Sequence, residues 1–332
     1  MTSTRSSFSA LALLLLAGGL AACATVTAVK TLADGQTGRI GFETWTPADR
    51  QFLTGGKAGT TVVIWGELRL PRSEGGRLPA VILIHGSSGV GPNMPWWTRE
   101  LNGIGVATFV LDSFTGRGIT ETATDQSRLS TGAMIVDAYR ALELLATHPR
   151  IDPSRIAIMG FSKGGAVSLY ASLTRFQRMY GPRGVEFAAY LPFYPPCNIA
   201  LIDDERVSDR PIRIFHGTAD DWTPIASCRA YAGRLRRAGK DVQVLEFPDA
   251  HHGFDVPSLP GMLFLTQVQN GSRCFFVERE VGWVVNRETG RPAGYDDPCI
   301  SRGGTVGYHP RAHAEAVKAV KAILTDVFKL GQ

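Results

Sequence analysis

A serine turn set between a strand and a helix constrains this chain more than any other feature. Arg155-Ile156-Ala157-Ile158-Met159 is a short apolar run, Gly160-Phe161-Ser162-Lys163-Gly164-Gly165 follows, and Ala166-Val167-Ser168-Leu169-Tyr170 continues with helical character. GxSxG in that context is a sharp strand-to-helix turn. A serine there takes a strained backbone conformation, and glycines two positions to either side let neighbouring chain come close. Its hydroxyl projects from the sheet end, beside the unpaired N–H groups and positive dipole of the helix start. Isolated, the same pattern describes a serine capping a buried helix. The flanking strand and helix favour a nucleophile.

The rest of the pattern supplies a scaffold for such a turn. Thr60–Leu70, Ala80–His85, Val106–Leu111, Val185–Tyr194, Pro211–His216 and Val242–Phe247 read as strands. Trp96–Gly103, Leu129–His148, Ser162–Met179, Thr223–Ala238 and residues 311–330 read as helices, whereas residues 23–59 read as a tether and irregular lead-in. Ala80–His85 is apolar without alternation up to His85, as in strands covered on both faces. Strands alternating with helices predict an α/β fold, a mostly parallel sheet flanked by helices on both faces.

With 44% hydrophobic and 20% charged residues and a net charge of +5, the 332-residue chain is neither disordered nor a coiled coil. Its one dense basic cluster, Arg234, Arg236, Arg237 and Lys240, has helical spacing and reads as a solvated helix face. No nucleic-acid partner is expected.

A serine is a weak nucleophile until a base takes its proton, and the base needs an acid to orient it. On this kind of sheet the partners follow in the order Ser, Asp/Glu, His. Ile214-Phe215-His216-Gly217-Thr218-Ala219-Asp220-Asp221-Trp222-Thr223-Pro224 is a strand end and a loop with two carboxylates. Val244-Leu245-Glu246-Phe247-Pro248-Asp249-Ala250-His251-His252-Gly253-Phe254 is a strand end and a histidine loop. Both leave carboxyl ends of strands, the rim where open α/β sheets place their sites. Asp220 is preferred as the acid, with Asp221 as a cap for the following helix, and His252 is preferred to His251 as the base. His85 and His216 read as structural.

An oxyanion needs main-chain donors. Lys163, the residue after the nucleophile, offers one N–H, and Ser87 in His85-Gly86-Ser87-Ser88-Gly89 offers the other. Trp96, Trp97, Phe114, Phe161, Tyr194 and Trp222 fall near strand ends and are candidates for an acyl or aryl wall, Trp222 and Phe161 foremost. Arg117 meets either an acidic substrate group or a nearby carboxylate.

HGSSG after a strand, DPSRIAIMGFSKGG at the elbow, HGTADDWTP at the acid and AHHGF at the base together resemble the dienelactone hydrolase family of α/β-hydrolases over residues 60–255. The founding members use a cysteine nucleophile, and this chain has Ser162 in its place. The resemblance therefore implies a serine hydrolase acting on carboxylic esters or related small acyl compounds, without cofactor or metal. A serine peptidase of the same fold and a non-catalytic binding lipoprotein are the rival readings. Residues 60–332 form the hydrolase domain, in which a Gly-, Arg- and Pro-rich stretch at about 255–308 stands as an insertion, a lid or substrate wall or else a solvent loop.

Residues 1–22 read as a signal peptide, with Arg5 before the apolar run Leu11–Leu20. Leu20-Ala21-Ala22-Cys23 resembles a lipobox, which implies lipidation of Cys23, a periplasmic location and membrane attachment by the lipid anchor alone, with the outer membrane favoured. A plain secretory signal with an incidental Cys23 is the alternative. Cys197, Cys228, Cys274 and Cys299 remain, and four cysteines in an exported chain allow three pairings. Cys197–Cys228 and Cys274–Cys299 are favoured because each closes a modest loop, worth about 3 kcal/mol in the chain-entropy model. A zinc site is disfavoured because neither CxxC nor HExxH is present.

Overall fold

Residues Leu78–Ile84 are buried at every position, and this strand lies near the middle of a nine-stranded sheet. The computed structural model describes residues 27–72 and 75–331, so the expected signal segment and Cys23 lie outside the described residues. The strands of the large sheet are β1 (Ala28–Val29), β2 (Gly38–Thr46), β3 (Thr60–Arg69), β4 (Leu78–Ile84), β5 (Ala107–Asp112), β6 (Ile151–Phe161), β7 (Tyr190–Phe193), β9 (Ile212–Gly217) and β10 (Val242–Phe247). Their spatial order is β1-β2-β3-β5-β4-β6-β7-β9-β10, antiparallel only where β3 meets β2 and β5. A three-stranded sheet is made of β8 (Ile199–Ala200), β12 (Phe276–Glu280) and β13 (Trp283–Asn286). A ribbon pairs β11 (Leu263–Asn270) with β14 (Ser301–Val306).

Seven α-helices complete the described residues: α1 (Asp49–Leu53), α2 (Asn93–Asn102), α3 (Thr131–Ala146), α4 (Lys163–Tyr170), α5 (Thr174–Tyr180), α6 (Ile225–Arg237) and α7 (Pro310–Phe328). Side chains alternate across a strand, so β4 feeds two cores. Ala80, Ile82 and Ile84 join the cluster with α3, α4 and α6, whereas Val81 and Leu83 join Met94, Trp97, Ala316 and Val320 of α2 and α7. The sheet is thereby covered on both faces, as the apolar run at its centre predicts. Among the described residues no helix is long and apolar enough to cross a membrane.

Three expectations need correction. The lead-in is more regular than its composition suggests, because β2 pairs with β3 from Gly38 opposite Leu68 to Thr46 opposite Thr60. Its alternation, Ile40, Phe42 and Thr44 inward with Arg39 and Glu43 outward, is diluted by glycines and threonines. The helix expected over Ser162–Met179 is two helices: the chain breaks at residues 171–173, where Leu173 bridges Val207 and Thr174 N–H donates to Arg206 O at 2.9 Å. The strand expected over Val185–Tyr194 is ladder-paired only as β7.

Residues 255–308 carry four strands rather than one irregular loop. Arg175 of α5 and Glu278 of β12 form a buried ion pair (2.6 Å) that ties this stretch to the body. Glu278 also accepts from the N–H groups of Ile202 (3.0 Å) and Gly282 (2.8 Å), which satisfies the buried carboxylate. The cysteines pair as Cys197–Cys228 and Cys274–Cys299, the arrangement favoured on loop length.

Candidate active site

The elbow forms because two glycines leave no room for side chains. A Cβ on Gly160 would collide with the Gly164 carbonyl, and one on Gly164 with the carbonyls of Ile84 and His85. β6 therefore runs directly into α4, and the residue between them, Ser162, has φ +55° and ψ −115°. That conformation is costly for an L-residue with a Cβ. Gly86 lies against it, since a Cβ there would stand 3.1 Å from Phe161 O and 3.3 Å from Ser162 Cβ. The loop after β4 is thus held against the serine.

Ser162, His252 and Asp220 stand in a line. His252 Nε2 is 2.8 Å from Ser162 Oγ, and His252 Nδ1 is 2.8 Å from Asp220 Oδ2. An ionised carboxylate can only accept, so Nδ1 carries the proton and Nε2 presents its lone pair to the hydroxyl. Asp220 is buried, yet its pKa is lowered: burial pushes it up, and the His252 charge, the hydrogen bonds from His252 and Thr223 and the His216 charge together outweigh that. Its other oxygen accepts from the N–H groups of Trp222 (3.0 Å) and Thr223 (2.8 Å).

The neighbouring candidates are placed elsewhere. Asp221 is not the cap of α6, which starts after Pro224 with no side-chain cap. Its carboxylate accepts instead from the N–H and the hydroxyl of Thr305, each at 2.7 Å. His251 Nδ1 donates to Ala219 O (2.9 Å) and braces the acid loop. His85, fully buried, accepts from Ser113 N–H at 3.2 Å, and burial lowers its pKa. Arg117 pairs with the buried Asp137 (2.7 Å), the carboxylate alternative of its two readings.

Lys163 opens α4 directly after Ser162, and Ser87 follows Gly86 on the loop packed against the serine. Among the described residues no acceptor receives either main-chain N–H. Of the aromatic candidates, Trp222 is half-buried with its ring centroid 4.9 Å from that of His252. Phe161 is only 2% exposed and packs among Trp97, Phe193 and Tyr194, so its ring belongs to the core and not to a substrate wall. Trp97, Phe114 and Tyr194 are core as well.

Several supporting residues escape sequence reading because their partners are remote. Thr223 Oγ1 lies 2.9 Å from Asp220 Oδ2, 3.1 Å from His252 Nδ1 and 3.1 Å from Tyr194 O. Tyr194 has φ +36° and its ring lies tilted against His252 with centroids 4.5 Å apart, while its hydroxyl donates to Asp255 at 2.6 Å. Asp255 also accepts from Trp97 Nε1 (2.8 Å) and Asn93 Nδ2 (3.3 Å), anchoring the base loop to α2.

The inserted ribbon contacts the loops on both sides of the line. Trp222 Nε1 donates to Gln269 O (2.8 Å), and Val306 bridges His252. On the other side Gln269 N–H donates to Ala123 O (2.8 Å), and Gln126 N–H to Gln269 Oε1 (2.6 Å).

The family model for the dienelactone hydrolase family matches residues 66–275, more than half of the chain. The chain belongs to the dienelactone hydrolase family. It is accordingly a hydrolase of ester type. A protein of Methylorubrum extorquens named "Putative carboxymethylenebutenolidase" is 23% identical over 223 residues, covering 60% of this chain and 75% of its own. Among solved structures, a dienelactone hydrolase-like promiscuous phosphotriesterase from metagenomic libraries has a TM-score of 0.55 at 18% identity, covering 87% of this chain and 99% of its own. A propionate-bound thermophilic esterase of Thermogutta terrifontis has a TM-score of 0.52 at 16% identity, covering 81% and 91%. At those identities the two structures establish the fold, the α/β-hydrolase fold expected of this family.

Proposed function

We propose that the protein is a serine esterase that cleaves small carboxylic esters or related acyl compounds through an acyl-enzyme. The observation that carries this reading is the unbroken line from Ser162 Oγ through His252 to Asp220, with both contacts at 2.8 Å. His252 takes the Ser162 proton as Oγ attacks the acyl carbon, and Asp220 holds the imidazole in the required tautomer and stabilises its protonated form. The N–H groups of Lys163 and Ser87 hold the oxyanion. His252 then returns the proton to the leaving alcohol, and a water, activated by the same imidazole, hydrolyses the ester formed on Ser162. Trp222 stands as the first wall of the substrate site.

A cysteine-like preference for dienelactones is not part of this reading, because a serine hydroxyl depends on its base far more than a thiol does. Export with lipidation at Cys23 belongs to the same proposal; the two disulfides fit an oxidising compartment.

The test pairs an organophosphonate ester with a short p-nitrophenyl ester series and a peptide panel. The expected results are one adduct on Ser162, ester turnover that falls by several orders of magnitude in Ser162→Ala with the fold retained, and no peptide cleavage. A folded protein that takes no adduct and cleaves no ester would overturn the proposal.

A further inference from the structure

Lys163 is a cation buried where no anion meets it. Its side chain is only 5% exposed, one residue past Ser162, and among the described residues no carboxylate lies within ion-pair distance. Nζ donates instead to Gln126 Oε1 (3.1 Å), Gln126 O (3.2 Å) and, more weakly, Thr122 Oγ1 (3.4 Å). A methionine would fill that space without the cost of burying an ammonium. The contacts lead somewhere specific: the Gln126 amide meets Ser87 Oγ through Nε2 at 2.9 Å, and Thr122 N–H donates to Ser87 O at 2.7 Å. The loop held by Lys163 is therefore the loop that holds Ser87 on both its side chain and its carbonyl.

We propose that the Lys163 side chain is a positioning residue: its Nζ clamps Gln126 and Thr122, and through them sets Ser87 N–H against the oxyanion. The inference rests on the esterase reading for its catalytic consequence, while the clamp itself does not. Burial pushes the Lys163 pKa down to about 7, against the opposing pull of Asp49 and Asp125. The charged or titratable groups on the segments around it are Glu121, Asp125 and Arg128 on the loop, Arg302 from β14, Asp49 of α1 and His85 at the end of β4. Burial lowers the His85 pKa, and the Lys163 charge lowers it further. Glu121 faces Arg128 (3.9 Å), and Asp125 is tied to Ser127, so neither serves as a direct counter-ion to Nζ.

The experiment compares wild type with Lys163→Met, and with Lys163→Gln as a second variant if the first folds poorly. Hydrogen exchange of peptides covering residues 120–128 is measured for both at one pH, so that intrinsic exchange cancels. kcat and KM for p-nitrophenyl acetate are measured under the same conditions. The loop of the wild type should exchange about fivefold more slowly than that of Lys163→Met, and its kcat should be about tenfold higher at a similar KM. A folded Lys163→Met with wild-type exchange and wild-type kcat would overturn the inference. If the wild type itself neither turns over ester nor takes phosphonate, the esterase reading falls, and the exchange comparison still decides whether Lys163 clamps the loop.

Discussion

Asp221 and Thr305 join the acid loop to the inserted ribbon: one carboxylate accepts from both the N–H and the hydroxyl of Thr305, each at 2.7 Å. Asp220, next to it, points to His252 instead. Two adjacent carboxylates thus serve two different partners, and their removal should have very different effects.

Asp220→Asn should lower kcat by about 10⁴, because an amide can stabilise the wrong imidazole tautomer and cannot balance the imidazolium. Asp221→Ala should cost no more than about tenfold and should act on KM as much as on kcat. Steady-state kinetics on one ester checks both. Equal losses at the two positions would remove Asp220 from its assigned role.

The backbone of Ser162 provides a second measurement. Its φ of +55° is a conformation that glycine adopts freely and alanine does not. Both substitutions delete the hydroxyl, so their difference isolates the strain, typically 1–3 kcal/mol, less about 0.4–1 kcal/mol for the freer unfolded chain of glycine. Ser162→Gly should melt above Ser162→Ala by a few degrees, and both should be inactive. A lower melting temperature for the glycine variant would mean the turn stores no such strain.

Lys163 makes a prediction about stability as well as rate. Its pKa is lower folded than unfolded, so between about pH 7 and the ordinary lysine value the unfolded chain binds the extra proton. Wild-type stability should therefore rise with pH across that window, by a burial cost on the order of 5 kcal/mol if fully expressed. Lys163→Met should be the more stable protein at pH 7 and should lose most of that slope. Denaturant melts at several pH values will read it, and parallel slopes would contradict it.

The disulfides should not reduce together. Cys197 and Cys228 are 3% and 0% exposed, whereas Cys299 is half-buried. A thiolate must reach a sulfur to exchange with it. Mild dithiothreitol should open Cys274–Cys299 first, as read by alkylation and peptide mass. Phosphonate labelling of Ser162 should persist after that step, since the line of three residues lies outside the loop it closes. The reverse order of reduction would count against the accessibility argument.

The elements legible in the sequence were those whose signal is local. The apolar run of β4, the strand-to-helix turn at Ser162 and the ordered carboxylate and histidine loops each lie within about a dozen residues. What was missed depends on remote pairing. β2 needs β3 to make sense of its glycines, and the strands at 263–306 need the acid loop, Arg175 and each other. Thr223 and Asp255 look like a loop threonine and a loop aspartate until Tyr194 is placed between them. Phe161 misled because a position beside the nucleophile says nothing about which way a ring points.

The inserted segment begins and ends at almost the same point: His309 N–H donates to Phe254 O at 3.1 Å, and Gly307 N–H to His252 O at 2.9 Å. A stretch whose two feet stand side by side makes no demand on the spacing of the sheet beneath it. Residues can be added at its exposed turns while the underlying frame keeps its register. The frame that aligns Ser162, His252 and Asp220 can therefore keep its geometry while the stretch rooted beside it varies in length, as a graft varies on a fixed stock.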